Sequence, residues 1–113
     1  MDIQCETKEG LGFITLSGPL TAGVVDRLHD QFNDWYSADE SISSLVVDMA
    51  EVESMDSSGL GALIGIMKKV TEKDVEMKIA ALQDRTRLVF EVTRAYRIFD
   101  IFDTVDAAVR DCE

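Results

Sequence analysis

Histidine, cysteine and proline are nearly missing from this chain: among 113 residues there are one histidine, two cysteines and one proline. A metal centre needs several clustered ligands, and His29 has no such company. Cys5 and Cys112 lie near opposite ends and share no C-x-x-C spacing. A disulfide between them does not suit a reducing cytosol, so Cys5 is expected as a small strand hydrophobe and Cys112 as tail. A serine–histidine pair could use only His29, which sits among charged residues and reads as a solvated side chain. Bases are scarce too, 11 against 22 acids, for a formal charge of −11. That charge repels phosphate backbones and anionic head groups, which makes nucleic acid and membrane surfaces poor partners and a basic protein surface a better one. The same acids also keep a domain soluble. No apolar run approaches the ~20 residues of a membrane span. The opening "MDIQCETKEG" has no basic region leading into an apolar one, so no signal peptide is expected and the location expected is cytoplasmic.

What is present suffices for one core. With 46% hydrophobic residues, the chain reads as a single domain over residues 1–113. Ile3, Cys5 and Thr7 alternate with Gln4 and Glu6 as in a strand with one buried face. "KEG" supplies a tight turn, and Leu11 to Ser17 completes a hairpin that Gly18 and Pro19 stop. From Thr21 the period becomes helical, with Val24, Val25, Leu28, Phe32, Trp35 and Tyr36 on one face. After the polar "SADESISS", the run Leu45 to Met49 is a strand covered on both sides. Leu60, Leu63, Ile64 and Met67 mark a second helix. Val75, Met77, Ile79 and Ala81 alternate as a strand, and Leu88, Val89 and Val92 mark a third helix. "RIFDIF" forms a last strand, and Asp103 or Thr104 caps a final helix. The order β-β-α-β-α-β-α-β-α predicts an α/β domain: a mixed sheet with an N-terminal antiparallel hairpin and about four helices, packed mainly on one face.

The least ordinary stretch is "SMDSSGLGALIGIM", Ser54 to Met67. Asp56, Ser57 or Ser58 can accept from the free amides of the first helical turn. Gly61 and Gly65 lie one turn apart, and each costs a helix interior roughly 1 kcal/mol relative to alanine. Either they permit close packing inside the domain, or they leave a smooth strip for another protein's backbone. The Walker loop is absent, since Ala62 follows Gly61 where a lysine is required. The nucleophile elbow is absent, since Met55 stands two before Ser57 where glycine is required. No catalytic group and no cofactor are expected. A serine at a helix N-terminus can instead receive a phosphoryl group, which adds about −1.5 to −2 charges beside amides that tolerate an anion.

The segment "LVVDMAEVESMDSSGLGALIGIMKKV" resembles the signature of STAS domains, in particular bacterial anti-sigma factor antagonists. The opening hairpin, "LSGPLT" and "IFDIFDTVDAAV" extend the resemblance over nearly the whole chain. It implies a partner switch. The unphosphorylated protein would bind an anti-sigma factor that is also a serine kinase, releasing the sigma factor; phosphorylation of Ser57 would abolish binding, and a serine phosphatase would reverse it. The partner surface so implied comprises Thr21, Asp56, Ser58, Gly59, Leu60, Gly61 and Gly65. Thr21 departs from the family, in which an acidic residue is frequent at that position. Arg94 and Ala95 stand where a glycine often ends the third helix. A second expectation is a regulatory subunit of a transporter ATPase complex, without phosphorylation. A hydrolase using Ser57 lacks a base.

Overall fold

The computed structural model describes residues 1–112. Strands β1 (Asp2–Lys8) and β2 (Leu11–Ser17) form the expected antiparallel hairpin. Lys8 pairs with Leu11, leaving Glu9 and Gly10 as a two-residue turn in which both have positive φ, 53° and 82°. That mirror-image turn matches the right-handed twist of the strands, and Gly10 adopts it without strain.

The chain continues through a single 3-10 turn at Ala22–Val24 into α1 (Val25–Ala38), β3 (Ser44–Glu51), α2 (Ser57–Thr71), β4 (Glu76–Ala80) and α3 (Asp84–Val92). A second 3-10 turn, Ala95–Arg97, precedes β5 (Asp100–Phe102) and α4 (Val105–Asp111). The sheet order is β1-β2-β3-β4-β5, antiparallel at the first pair and parallel thereafter. Each parallel pair requires a crossover, so the loops leaving β2, β3 and β4 gather at one end of the sheet.

One face carries the main core, where Ile14, Leu16, Leu45, Val47 and Ile79 meet Leu28 and Phe32 of α1, Leu63 and Ile66 of α2, and Phe90 of α3. The other face is smaller: Val46 and Ala80 lie beneath Ala108 of α4, with Phe13, Phe102 and Val105 packed against them. Three helices therefore cover one side and α4 the other. Coverage of both faces explains why Leu45, Val46 and Val47 are all buried.

Several details differ from the pattern reading. Helix α2 buries Leu60, Leu63, Ile66 and Val70 and leaves Ile64 and Met67 half-buried, because Gly59 sits tight against Leu20 in the loop between β2 and α1 and so sets the helix's rotation. On α3, Phe90 and Thr86 face inward while Leu88 and Val92 are exposed. Thr86 tolerates burial because its hydroxyl donates to the Gln83 carbonyl at 3.0 Å. Strand β4 also buries Lys78 and Ala80, since α4 covers what alternation reads as an outer face. "RIFDIF" is strand only over Asp100–Phe102, its start being taken by the 3-10 turn. Cys112 is no loose tail: its thiol donates to the Ala108 carbonyl at 3.3 Å and packs against the smaller cluster.

Candidate functional site

Two loops at the carboxyl ends of β2 and β3 are laced together by backbone bonds. Gly18 donates to the Glu51 carbonyl at 2.9 Å, Leu20 to that of Ser54 at 3.0 Å, and Asp56 to that of Leu20 at 3.3 Å. Leu20 and Met55 thus form a one-residue parallel bridge beyond the end of the sheet. Leu20 is fully buried, so this junction is anchored by a side chain as well as by its amides.

Helix α2 starts on that junction. A Cβ at Gly59 would overlap the Leu20 carbonyl oxygen and stand 2.9 Å from Leu20 Cγ. Glycine is therefore required by close approach rather than by a special φ. Asp56, in extended conformation, is the N-cap: its Oδ1 accepts from the Gly59 amide at 2.9 Å. Its Oδ2 accepts from the Ala22 amide at 3.2 Å, at the start of the 3-10 turn. One carboxylate thus serves two helical starts. The Gly59 amide, above all, holds the Asp56 carboxyl below its ordinary range; burial opposes it, and the Ala22 amide adds a weaker lowering effect. Thr21, half-buried, begins the 3-10 turn without a side-chain cap of its own. The Asp56 carboxylate takes that role.

Of the three capping residues considered from sequence, Asp56 is the one used. Ser57 and Ser58 occupy the first turn of α2 and are exposed. Gly61 and Gly65 follow Ser57 at helical spacing, so all three share the outward face. A Cβ at either glycine would meet no atom within 4 Å, so they do not serve close packing inside the domain. Gly59 and Leu60 are buried and support the surface from beneath. The third loop is tied in by Gln83, whose side-chain amide donates to the Ala50 carbonyl at 2.7 Å. Leu20, Ala22 and Gln83 are the site residues that pattern reading missed. Their roles are backbone pairings between loops distant in sequence, which no local spacing records.

Among the described residues no group of three or more His, Cys, Asp or Glu could hold a metal ion, and no helix is long and apolar enough to cross a membrane. His29 is exposed on α1.

The profile of the STAS domain family matches residues 2–108. This chain belongs to the STAS domain family. An anti-sigma-B factor antagonist of Listeria monocytogenes is 36% identical over 88 residues, which is 78% of this chain and 75% of that protein. An anti-sigma F factor antagonist of Paenibacillus polymyxa is 24% identical over 113 residues, all of this chain and 96% of that one. The crystal structure of an anti-sigma factor antagonist from Mycobacterium paratuberculosis shares the fold, with a TM-score of 0.86 at 22% identity over 97% of this chain and 92% of that one. In this STAS domain, then, the D-S-S-G-L-G segment divides its labour. Asp56, Gly59 and Leu60 build the junction, while Ser57, Ser58 and Gly61 face outward.

Proposed function

We propose that this STAS domain is an anti-sigma factor antagonist that works by partner switching and has no catalytic activity of its own. Unphosphorylated, it binds an anti-sigma factor with serine kinase activity and so releases the sigma factor. Phosphorylation of Ser57 abolishes that binding, and a serine phosphatase restores it. The observation that carries this reading is the division between Asp56 and Ser57. The cap is held by the Asp56 carboxylate, so the exposed Ser57 hydroxyl can be modified without loss of the helix start.

Contact with the partner falls to Thr21, Asp56, Ser58, Gly61 and Gly65. A phosphate next to Asp56 adds like charge to an already acidic surface and must lose water at a tight interface. A hundredfold loss of affinity needs only about 2.7 kcal/mol, which a desolvated dianion near a carboxylate supplies.

The test is treatment of the purified domain with its cognate kinase and ATP, followed by phosphopeptide mapping and calorimetric titration. Phosphate on Ser57 alone, with binding to the kinase lost, is expected. Ser57→Ala should bind the kinase as tightly as the native protein yet no longer respond to ATP. Phosphate on Ser58, or phosphorylated protein that still binds, would refute the switch. Stable co-purification with a transporter ATPase, indifferent to ATP and kinase, would replace it with a regulatory-subunit role.

A further inference from the structure

Among the described residues, the exposed large hydrophobic side chains all lie within eleven residues: Leu88 (56% exposed), Val92 (74%), Tyr96 (49%) and Ile98 (50%). Four of the six arginines, Arg85, Arg87, Arg94 and Arg97, fall in the same stretch. Over residues 85–98 these four cations face one acid, Glu91, a net of +3, so the remainder of the chain carries −11 − 3 = −14. Arg85, Leu88 and Val92 follow at i, i+3 and i+7 on the outward side of α3, opposite buried Thr86 and Phe90.

Tyr96 and Arg87 border a cavity of about 520 Å³ with Phe90, Glu91 and Ile101. Ile98 borders another with Met67, Thr71 and Met77, at the end of α2 remote from Ser57. Arg87 is partly engaged by Asp103 at 3.4 Å. Arg85, Arg94 and Arg97 are exposed. Exposed tyrosine and arginine beside aliphatic side chains are the composition of protein interfaces, not of an idle acidic surface.

The charge pattern selects the occupant. Two copies meeting through this patch would set arginine against arginine. Docking the patch on the acidic remainder of a second copy would satisfy charge but leave Leu88 and Val92 without apolar partners, because the exposed large hydrophobics all lie in the patch itself. An anionic lipid surface would attract +3 and repel −14. We propose that the α3 to Ile98 face is a second docking site, separate from the Ser57 surface, for a protein partner that presents an apolar ridge flanked by carboxylates. It does not depend on the phosphorylation switch.

Two helical peptides serve as probes, one of leucine, alanine and glutamate with the leucines on one face, the other with lysine in place of glutamate. Vesicles of phosphatidylserine and phosphatidylcholine are the third. The acidic peptide should shift the amide NMR signals of residues 85–98 saturably while leaving Ser57 to Gly65 unmoved, and added salt should weaken it. Arg85→Glu with Arg97→Glu, and separately Leu88→Ser with Val92→Ser, should each lower its affinity at least tenfold. Both double variants should melt as the native protein does, since all four side chains are exposed. Equal binding of the lysine peptide, binding to vesicles, self-association through the patch, or no saturable shift with the acidic peptide would each overturn the proposal. None of these outcomes depends on phosphorylation of Ser57, so failure here is distinguishable from failure of the switch.

Discussion

Three glycines in one helix carry opposite demands. Gly59 has no room for a methyl group, since the Leu20 backbone occupies that space, whereas Gly61 and Gly65 face open space. Gly59→Ala should therefore destabilise the domain by about 1–3 kcal/mol, the range of overpacking in a rigid setting. Gly61→Ala should leave stability unchanged or raise it by up to about 1 kcal/mol, the helix-propensity difference. Urea denaturation of the two variants checks the contrast. Gly61→Leu extends it to function: a melting temperature held near the native value with sharply weaker kinase binding is expected, because a bulky side chain holds two surfaces apart. Parallel loss of stability and binding would show that the strip is structural.

At the level of whole elements, two polar devices fix the helices on the sheet. The first is Asp56, which ties the start of α2 to the turn before α1. Its carboxyl is depressed on folding, so its contribution is fully present above the ordinary aspartate value of 3.8 and is lost as pH falls through the lower folded value. Melting curves taken between neutral and strongly acidic pH should show a steeper acid decline for the native protein than for Asp56→Asn. The asparagine variant should also melt lower at neutral pH.

The second device is Lys78 on β4, only 1% exposed. Its ammonium donates to Asp111 of α4 at 2.6 Å, lies 3.4 Å from Glu76 and 3.9 Å from Asp100, and sits over the Phe102 ring. Burial alone pulls this ammonium downward. The hydrogen bond and charge of Asp111, then the charges of Cys112 and Glu76, overcome that and raise it above 10.5. The charged form thus stabilises the fold below the ordinary lysine range and is lost only as pH rises through the higher folded value. Asp111→Ala should cost about 1 kcal/mol, less than for a fully buried pair because Asp111 is half exposed. Lys78→Met, which removes the buried charge itself, should cost less or stabilise. Guanidinium titrations at neutral pH compare the two.

For the molecule as a whole, the switch proposed for Ser57 is local. The junction of Leu20, Met55 and Asp56 is held by backbone bonds that a phosphate on Ser57 does not break. Amide NMR spectra of the free domain before and after phosphorylation should differ mainly over residues 54–65 and the adjoining loop around Thr21. Shifts running through β4 and α4 would show instead that the modification refolds the sheet. Within the patch of residues 85–98, Ile98 should also stay silent, since it lies beside Met67 and Thr71 at the end of α2 remote from Ser57.

The order of elements and the mixed sheet were legible in the sequence because period-two and period-3.6 hydrophobic patterns are local, and strands alternating with helices demand parallel crossovers. The hairpin turn was legible because Gly10 permits positive φ. So was the family motif that contains Ser57, though not the exposure of that serine. What spacing left open was decided by contacts between segments far apart in the chain. The cap had three claimants of equal local chemistry, and Asp56 took it because its second oxygen reaches Ala22, 34 residues away. The glycines looked alike until Leu20 occupied the space beside one of them. Leu88 and Val92 matched a core stripe as well as Phe90 did, but a nine-residue helix can bury only one side. Lys78 read as an outward residue until α4 folded over it. Periodicity tells which residues can share a face; only the packed neighbours determine whether that face is covered.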